Sequence, residues 1–212
     1  MDSREKGSTI GDRPPMKINV TAVVAALLPV FLSSCIILYR DFPAARVGQP
    51  PELKQYDLLS YRINRFPVPD EGSQAALRSV FENKTPFANT ASVMETPRTG
   101  VYCRVDVEYK PAGLPAVIFR YVSLATLTAL PSWSVREGFI VRYHLFVDGE
   151  KKKTFEYTIT RKMGLWLGLL PVSWLNWFTD TEAEAFEATA RQFFEDARPI
   201  FSQLGRHERI MD

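Results

Sequence analysis

Side chains able to do covalent or metal chemistry are scarce in this 212-residue chain, which holds two cysteines and two histidines. His144 stands beside Arg142 in an alternating segment and His207 lies in the polar C-terminal stretch. Neither has a Cys, Asp or Glu at ligand spacing, so neither a metal site nor a cofactor is expected. Cys103 belongs to Val101-Tyr102-Cys103-Arg104-Val105-Asp106-Val107-Glu108-Tyr109, whose odd positions are apolar. That alternation predicts a half-buried strand with Cys103 as a small core side chain, whereas a reactive thiol would need exposure and a basic neighbour. Glu182, Glu184 and Glu187 could in principle do acid/base work. They crowd the start of a predicted helix, however, where the helix dipole already favours acidic residues. The sequence has no Gly-x-Ser-x-Gly, phosphate-binding glycine loop, His-Glu-x-x-His or Cys-x-x-Cys. No catalytic residue is therefore assigned. Cys35 is different, because it closes an apolar run from Val20 to Leu32 that follows Lys17.

A basic entry, an apolar stretch of roughly a dozen residues and a small-residue exit are the three zones of an export signal. Met16-Lys17-Ile18-Asn19 supplies the entry if Met16 is the true start, and Leu32-Ser33-Ser34-Cys35 supplies the exit. The latter resembles the lipobox of bacterial lipoprotein precursors at all four positions. The resemblance implies that residues 1–34 are a signal peptide and that a thioether-linked diacylglycerol is placed on Cys35. It further implies cleavage before Cys35 and acylation of the new amino terminus. Ile36, standing where an aspartate would retain such a protein at the inner membrane, implies by the same resemblance an outer-membrane position facing the periplasm. Each buried methylene contributes about 0.8 kcal/mol and one acyl chain holds only marginally, so two or three chains on Cys35 would anchor the protein. The alternative is a single-pass membrane anchor. No charge interrupts Ile18 to Leu38, and ~20 apolar residues suffice to cross a hydrocarbon core.

The elements that must present these residues follow from composition and periodicity. A formal charge of +2, with 46% apolar and 12% aromatic residues, describes a packed domain and gives no reason to expect a nucleic-acid partner. Residues 35–55, rich in proline after Arg40, read as a lipid-anchored tether, residues 56–205 as one α+β domain and residues 206–212 as a polar tail. A first strand is predicted from Tyr56 to Arg65, and a helix from Glu71 to Asn83 with Leu77, Val80 and Phe81 inward and Asp70 or Ser73 as cap. A Thr/Pro-rich loop then leads to the Cys103 strand. Phe139 to Thr160 form a hairpin. An odd-length Val147-Asp148-Gly149 loop is expected there, because it puts both apolar sets on one face by pairing Val141 with Phe155 and Phe139 with Tyr157. His144 would then face solvent. Lys151-Lys152-Lys153 at the tip read as a solvated turn or, alternatively, as a contact for anionic lipid at about 1 kcal/mol per charge. Thr179-Asp180-Thr181-Glu182 predicts a capping box for a last helix that Pro199 kinks or ends. The expected architecture is an antiparallel sheet of about four strands, in the order β-α-β-α-β-β-α, with helices on one face.

Two apolar segments remain, Ala116 to Trp133 and Gly164 to Phe178. The first reads as a core helix. The second holds Trp166, Trp174, Trp177 and Phe178 without a charge, and reads either as a loop folded over the sheet or as a surface for a protein partner or lipid. The order of apolar helix, proline, hairpin and Trp-rich segment across about residues 100 to 178 is similar to a group of uncharacterised bacterial envelope lipoproteins, which brings no activity with it. The expectation is a non-enzymatic, membrane-anchored envelope lipoprotein that binds an envelope protein or lipid through Trp166, Trp174, Trp177 and Phe178. A small hydrolase or transferase using carboxylates, and a single-pass membrane-anchored interaction domain, are the alternatives.

Overall fold

A computed structural model of the chain describes residues 35–43, 56–67 and 71–211, with side chains described for 35–43, 58–67 and 71–203. Six strands and three α-helices occur among them. In chain order they are β1 (Cys35–Arg40), β2 (Tyr56–Ile63), α1 (Glu71–Asn83), β3 (Phe87–Ser92), β4 (Val101–Lys110), α2 (Leu114–Ala125), β5 (Ser132–Val147), β6 (Glu150–Leu165) and α3 (Glu182–Met211). A succession of 3₁₀ turns, Leu167–Phe178, joins β6 to α3. Residues 1–34, expected to be a signal peptide, the stretch at 44–55 and Asp70 lie outside the described residues.

All six strands form one sheet in the order β1-β6-β5-β4-β2-β3. β1, β6, β5 and β4 pair antiparallel, while β2 runs parallel to both β4 and β3. The four-strand antiparallel sheet expected from the sequence is thus replaced by a six-strand mixed one. The parallel part exists because α1 crosses over between β2 and β3, as two parallel neighbours require. Phe87–Ser92, read as loop, is polar because it is an edge strand with exposed side chains. Cys35–Arg40, read as tether, is the opposite edge strand.

The core lies on the face that carries the odd-numbered residues of the hairpin. Cys103, Val105, Val141, Tyr143, Leu145 and Ile159 are fully buried there. α1 brings Leu77, Val80 and Phe81, and α3 brings Phe186 and Phe193. The Tyr143 and Phe193 rings stack at 4.8 Å and 9°, and the buried Tyr143 hydroxyl is satisfied by Thr189 Oγ1 at 2.8 Å. Burial drives the Cys103 thiol pKa well up, the Asp106 charge adding to this, so the thiol is an inert core group.

The hairpin departs from its expected register for a definite reason. Val147 pairs with Glu150 across a two-residue turn in which Asp148 and Gly149 are both left-handed. Such a turn alone would put the two apolar sets on opposite faces. A bulge restores the match: Leu145 pairs with Lys153 but Phe146 with Lys151, leaving Lys152 as the extra residue. Val141 consequently faces Tyr157 and Phe139 faces Ile159.

Two smaller expectations are also corrected. His144 is nearly buried, with Nδ1 at 2.9 Å from Thr154 Oγ1 and Nε2 at 3.0 Å from Asp106 Oδ2. The capping box of α3 is Thr181 with Glu184, each side chain bonding the other's backbone N–H at 3.2 and 2.7 Å. α3 runs through Pro199 to Met211.

Candidate functional site

Three strand ends meet at one end of the sheet. Cys35, which opens β1, is the partner of Leu165, the last residue of β6. Leu165 in turn is the partner of Ser132, which opens β5. Paired residues share a face and alternate residues along a strand return to it. Cys35, Ile37 and Tyr39 therefore project from the same side as Leu165, Met163 and Arg161, and as Ser132 and Ser134. Burial raises the Cys35 thiol pKa, opposed by the charges of Arg120 and Arg161.

The Trp-rich segment covers the free edge of β1. Asn176 acts as a short substitute strand: its Oδ1 accepts the Ile37 N–H at 3.1 Å and its Nδ2 donates to the Cys35 carbonyl at 2.6 Å. Thr179 Oγ1 donates to the Ile37 carbonyl at 3.3 Å. The polar residues of the segment thus protect an edge that would otherwise template strand addition. Its aromatic side chains stay open to the surroundings. Trp166, Trp174, Trp177 and Phe178 are 42, 52, 86 and 78% exposed, and no residue of the 3₁₀ run is buried.

α2 contributes a second apolar surface at this end. The expectation of a core helix fails here, because Ser123 is its sole buried residue while Leu114, Ile118, Phe119, Tyr121 and Leu124 are exposed. The loop after it holds Leu127 and Thr128, both left-handed and exposing Leu127, and leads past exposed Leu130 to Trp133. Among the backbone bonds that fix this strained loop are Thr128 N–H to the Ser123 carbonyl at 2.7 Å and Leu167 N–H to the Thr128 carbonyl at 2.8 Å. The second of these ties the α2 loop to the start of the Trp-rich segment. Apolar side chains from both therefore crowd the end of the sheet that carries Cys35.

A buried carboxylate holds α2 to the sheet. Glu137 is 1% exposed and accepts from Arg120 Nη2 of α2 at 2.5 Å, from Arg161 of β6 and from the Tyr109 hydroxyl of β4. Burial alone would raise its pKa, but these three donors lower it to about 2. A carboxylate so held is a fixed anion and no proton acceptor near neutral pH. The next residue, Gly138, has no alternative, since a Cβ there would lie 1.9 Å from the Ile159 carbonyl oxygen.

Between α2 and the start of β5 lies a cleft of about 500 Å³, lined mainly by apolar residues including Ala116, Phe119, Val122 and Leu130, with no Asp or Glu. Ser134 lines it too; its Oγ is buried and has no hydrogen-bond partner.

The sequence-selected residues are thus divided between two places. Cys35, Trp166, Trp174 and Trp177 lie at or beside one end of the sheet, with Phe178 next to the Thr179 that bonds β1. The lysines at the hairpin tip do not join them. Lys153 lies twelve residues back along β6 from Leu165, roughly 40 Å at about 3.3 Å per residue. Lys152 pairs with Glu150, and Lys153 sits 4.6 Å over the Phe155 ring. Among the described residues no group of three or more His, Cys, Asp or Glu side chains could hold a metal ion. Sequence reasoning missed Glu137, Arg120, Arg161, Tyr109 and Ser134. They come from four separate elements, and no spacing signal connects them.

No protein-family model matches the chain and no curated protein matches it. Among solved structures it is similar to protein XCC0632 from Xanthomonas campestris, described by the family DUF330. That match has 14% identity and a TM-score of 0.33, covering 80% of this chain and 97% of the other. It is also similar to the PelC dodecamer from Paraburkholderia phytofirmans, at 12% identity and a TM-score of 0.24, covering 74% and 97%. Both neighbours are bacterial proteins, and at these scores the likeness transfers neither fold nor function.

Proposed function

We propose that this protein is a non-enzymatic envelope lipoprotein, anchored through acyl groups on Cys35, whose apolar end rests on the lipid surface. The observation that carries the reading is the gathering of exposed Leu127, Leu130, Trp133, Trp166 and Trp174 at the end of the sheet where Cys35 stands. Extended apolar surfaces of this kind mark contacts with a partner or a membrane, and tryptophan favours the membrane–water boundary. Lipid on Cys35 would bring that end against the bilayer. The β1 strand supports the same reading in a second way. With Ile36, Ile37 and Leu38 committed to a sheet, the apolar run available to a membrane-spanning helix shortens to Ile18–Ser34, at the low end of the roughly 17–25 residues a span uses. Among the described residues no helix is long and apolar enough to cross a membrane. The carboxylate-enzyme reading gains no support, because the cleft lacks acidic residues and Glu137 is fully engaged.

Replacing Trp174 and Trp177 with serine tests the surface. Burying one such ring is worth about 1.5–3 kcal/mol, so the unacylated double variant should lose tenfold or more in partitioning onto phosphatidylethanolamine/phosphatidylglycerol vesicles, measured by flotation. Thermal unfolding should be unchanged, since both rings are more than half exposed. Equal partitioning of variant and parent would remove the surface from the proposal.

A further inference from the structure

We infer that one acyl chain of the Cys35-linked lipid folds back into the cleft between α2 and the start of β5. The inference rests on the acylation proposed above and adds where the lipid goes. Three observations carry it. The first is position: Cys35, Leu165 and Ser132 form one row across three strands, and Ser132 lines the cleft. Two strand spacings separate Cys35 from Ser132, about 10 Å, well within reach of a glyceryl thioether bearing long chains.

The second is direction. The Cys35 side chain projects from the face that Arg120 of α2 reaches when it bonds Glu137, so lipid on its sulfur emerges beside α2. Cys35 is half-buried, with Asn176 on its strand edge and Leu165 on the neighbouring strand.

The third is chemical fit. A cavity of about 500 Å³ lies in the range of roughly 300–1,000 Å³ typical of ligand sites, and such sites combine apolar walls with a few placed polar groups. Here the walls are Ala116, Phe119, Val122, Leu130 and Pro131, and the polar lining residues are Ser132, Ser134 and Arg136. Ser134 is 3% exposed and its Oγ, like Arg161 Nε, lacks a partner among the described residues, which costs free energy. A glyceryl ester presents carbonyl oxygens, which only accept hydrogen bonds. The Arg136 guanidinium at the cleft lining can donate to one, while the attached chain fills the apolar part of the cleft. Occupancy would also cover part of the α2 surface that the chain alone leaves exposed.

The test uses the full chain in its membrane. Cells making it are fed a palmitate analogue bearing a diazirine, irradiated, and the extracted protein is weighed intact and then digested for cross-link mapping. The expected result is an acylated Cys35 mass, with cross-links from the Cys35 lipid to residues 115–135 of the same molecule. Ala116→Trp, which fills the cleft, should keep the acylated mass and lose those cross-links. An acylated Cys35 whose cross-links reach only bilayer lipid or residues 166–178 overturns the inference and leaves the anchor intact. Cleft cross-links to a lipid not joined to Cys35 overturn it in favour of a membrane lipid as occupant. An unacylated Cys35 overturns the inference and the anchor together. Cross-links that survive Ala116→Trp place the chain outside the cleft.

Discussion

Glu137 connects α2, β4 and β6 through one side chain, so its removal should be felt beyond its own position. Glu137→Gln leaves two guanidinium groups without their counter-charge, and breaking a buried pair in this way costs about 3–5 kcal/mol. The lower end applies, because Arg120 and Arg161 keep about a quarter of their side-chain surface in water. Urea unfolding at pH 7 should show this loss. The pH dependence follows from the direction of the shift: with a folded pKa of about 2 against an ordinary 4.5, the stabilisation is complete above 4.5 and disappears as pH falls toward 2. The variant should lack that component. His144 acts in the opposite part of the scale. Burial lowers its pKa, helped by Lys151 and Arg104 and opposed by Asp106. The unfolded chain therefore takes up the proton first, and stability should fall as pH drops below about 6.5. His144→Gln should flatten that limb of a stability–pH profile. Neither group was legible in sequence. Cys103 was, because it sits in an unbroken apolar–polar alternation, whereas Glu137 looks like one of many surface acids until Arg120, Arg161 and Tyr109 converge on it.

At the scale of elements, β1 depends on a side chain far along the chain. Asn176→Ala removes both hydrogen bonds to its free edge, a loss of about 1 kcal/mol for a partly exposed pair. Amide hydrogen exchange at Ile37 should accelerate roughly fivefold, the factor equivalent to 1 kcal/mol, while Val141 in the central strand stays protected. Unchanged exchange at Ile37 would mean that the 3₁₀ segment does not hold the edge. The α1 boundaries, Glu71 and Asn83, could be read from Leu77, Val80 and Phe81 because a single helical stripe determines them. β1 could not, since Ile36-Ile37-Leu38 merges without a break into the apolar run before Cys35. β3 was hidden by its polar Phe-Ala-Asn-Thr-Ala-Ser sequence, and without it the α1 crossover and the parallel half of the sheet could not be inferred. The hairpin register was obscured for a subtler reason. Any one of three consecutive lysines could carry the bulge, and only the structure selects Lys152.

The whole molecule has two dissimilar ends. One carries Cys35, the α2 loop and the Trp-rich segment, with large side chains open to their surroundings. The other carries the Asp148-Gly149 turn and its lysines, roughly 40 Å away along β6. If the first end lies against lipid, the lysine-rich tip points away from it, so headgroup charge should matter little to attachment. That polarity was half visible beforehand: the tryptophans and Cys35 stood out as residues, but their proximity depends on β1 pairing with the end of β6. The central claim is that Cys35 bears the lipid that brings this end to the membrane, and the most direct measurement is the intact mass of the chain extracted from membranes. The account predicts a species that begins at Cys35 and carries a diacylglyceryl group, with or without a further amide-linked chain. A mass that includes residues before Cys35, or one that begins at an unmodified Cys35, would contradict it.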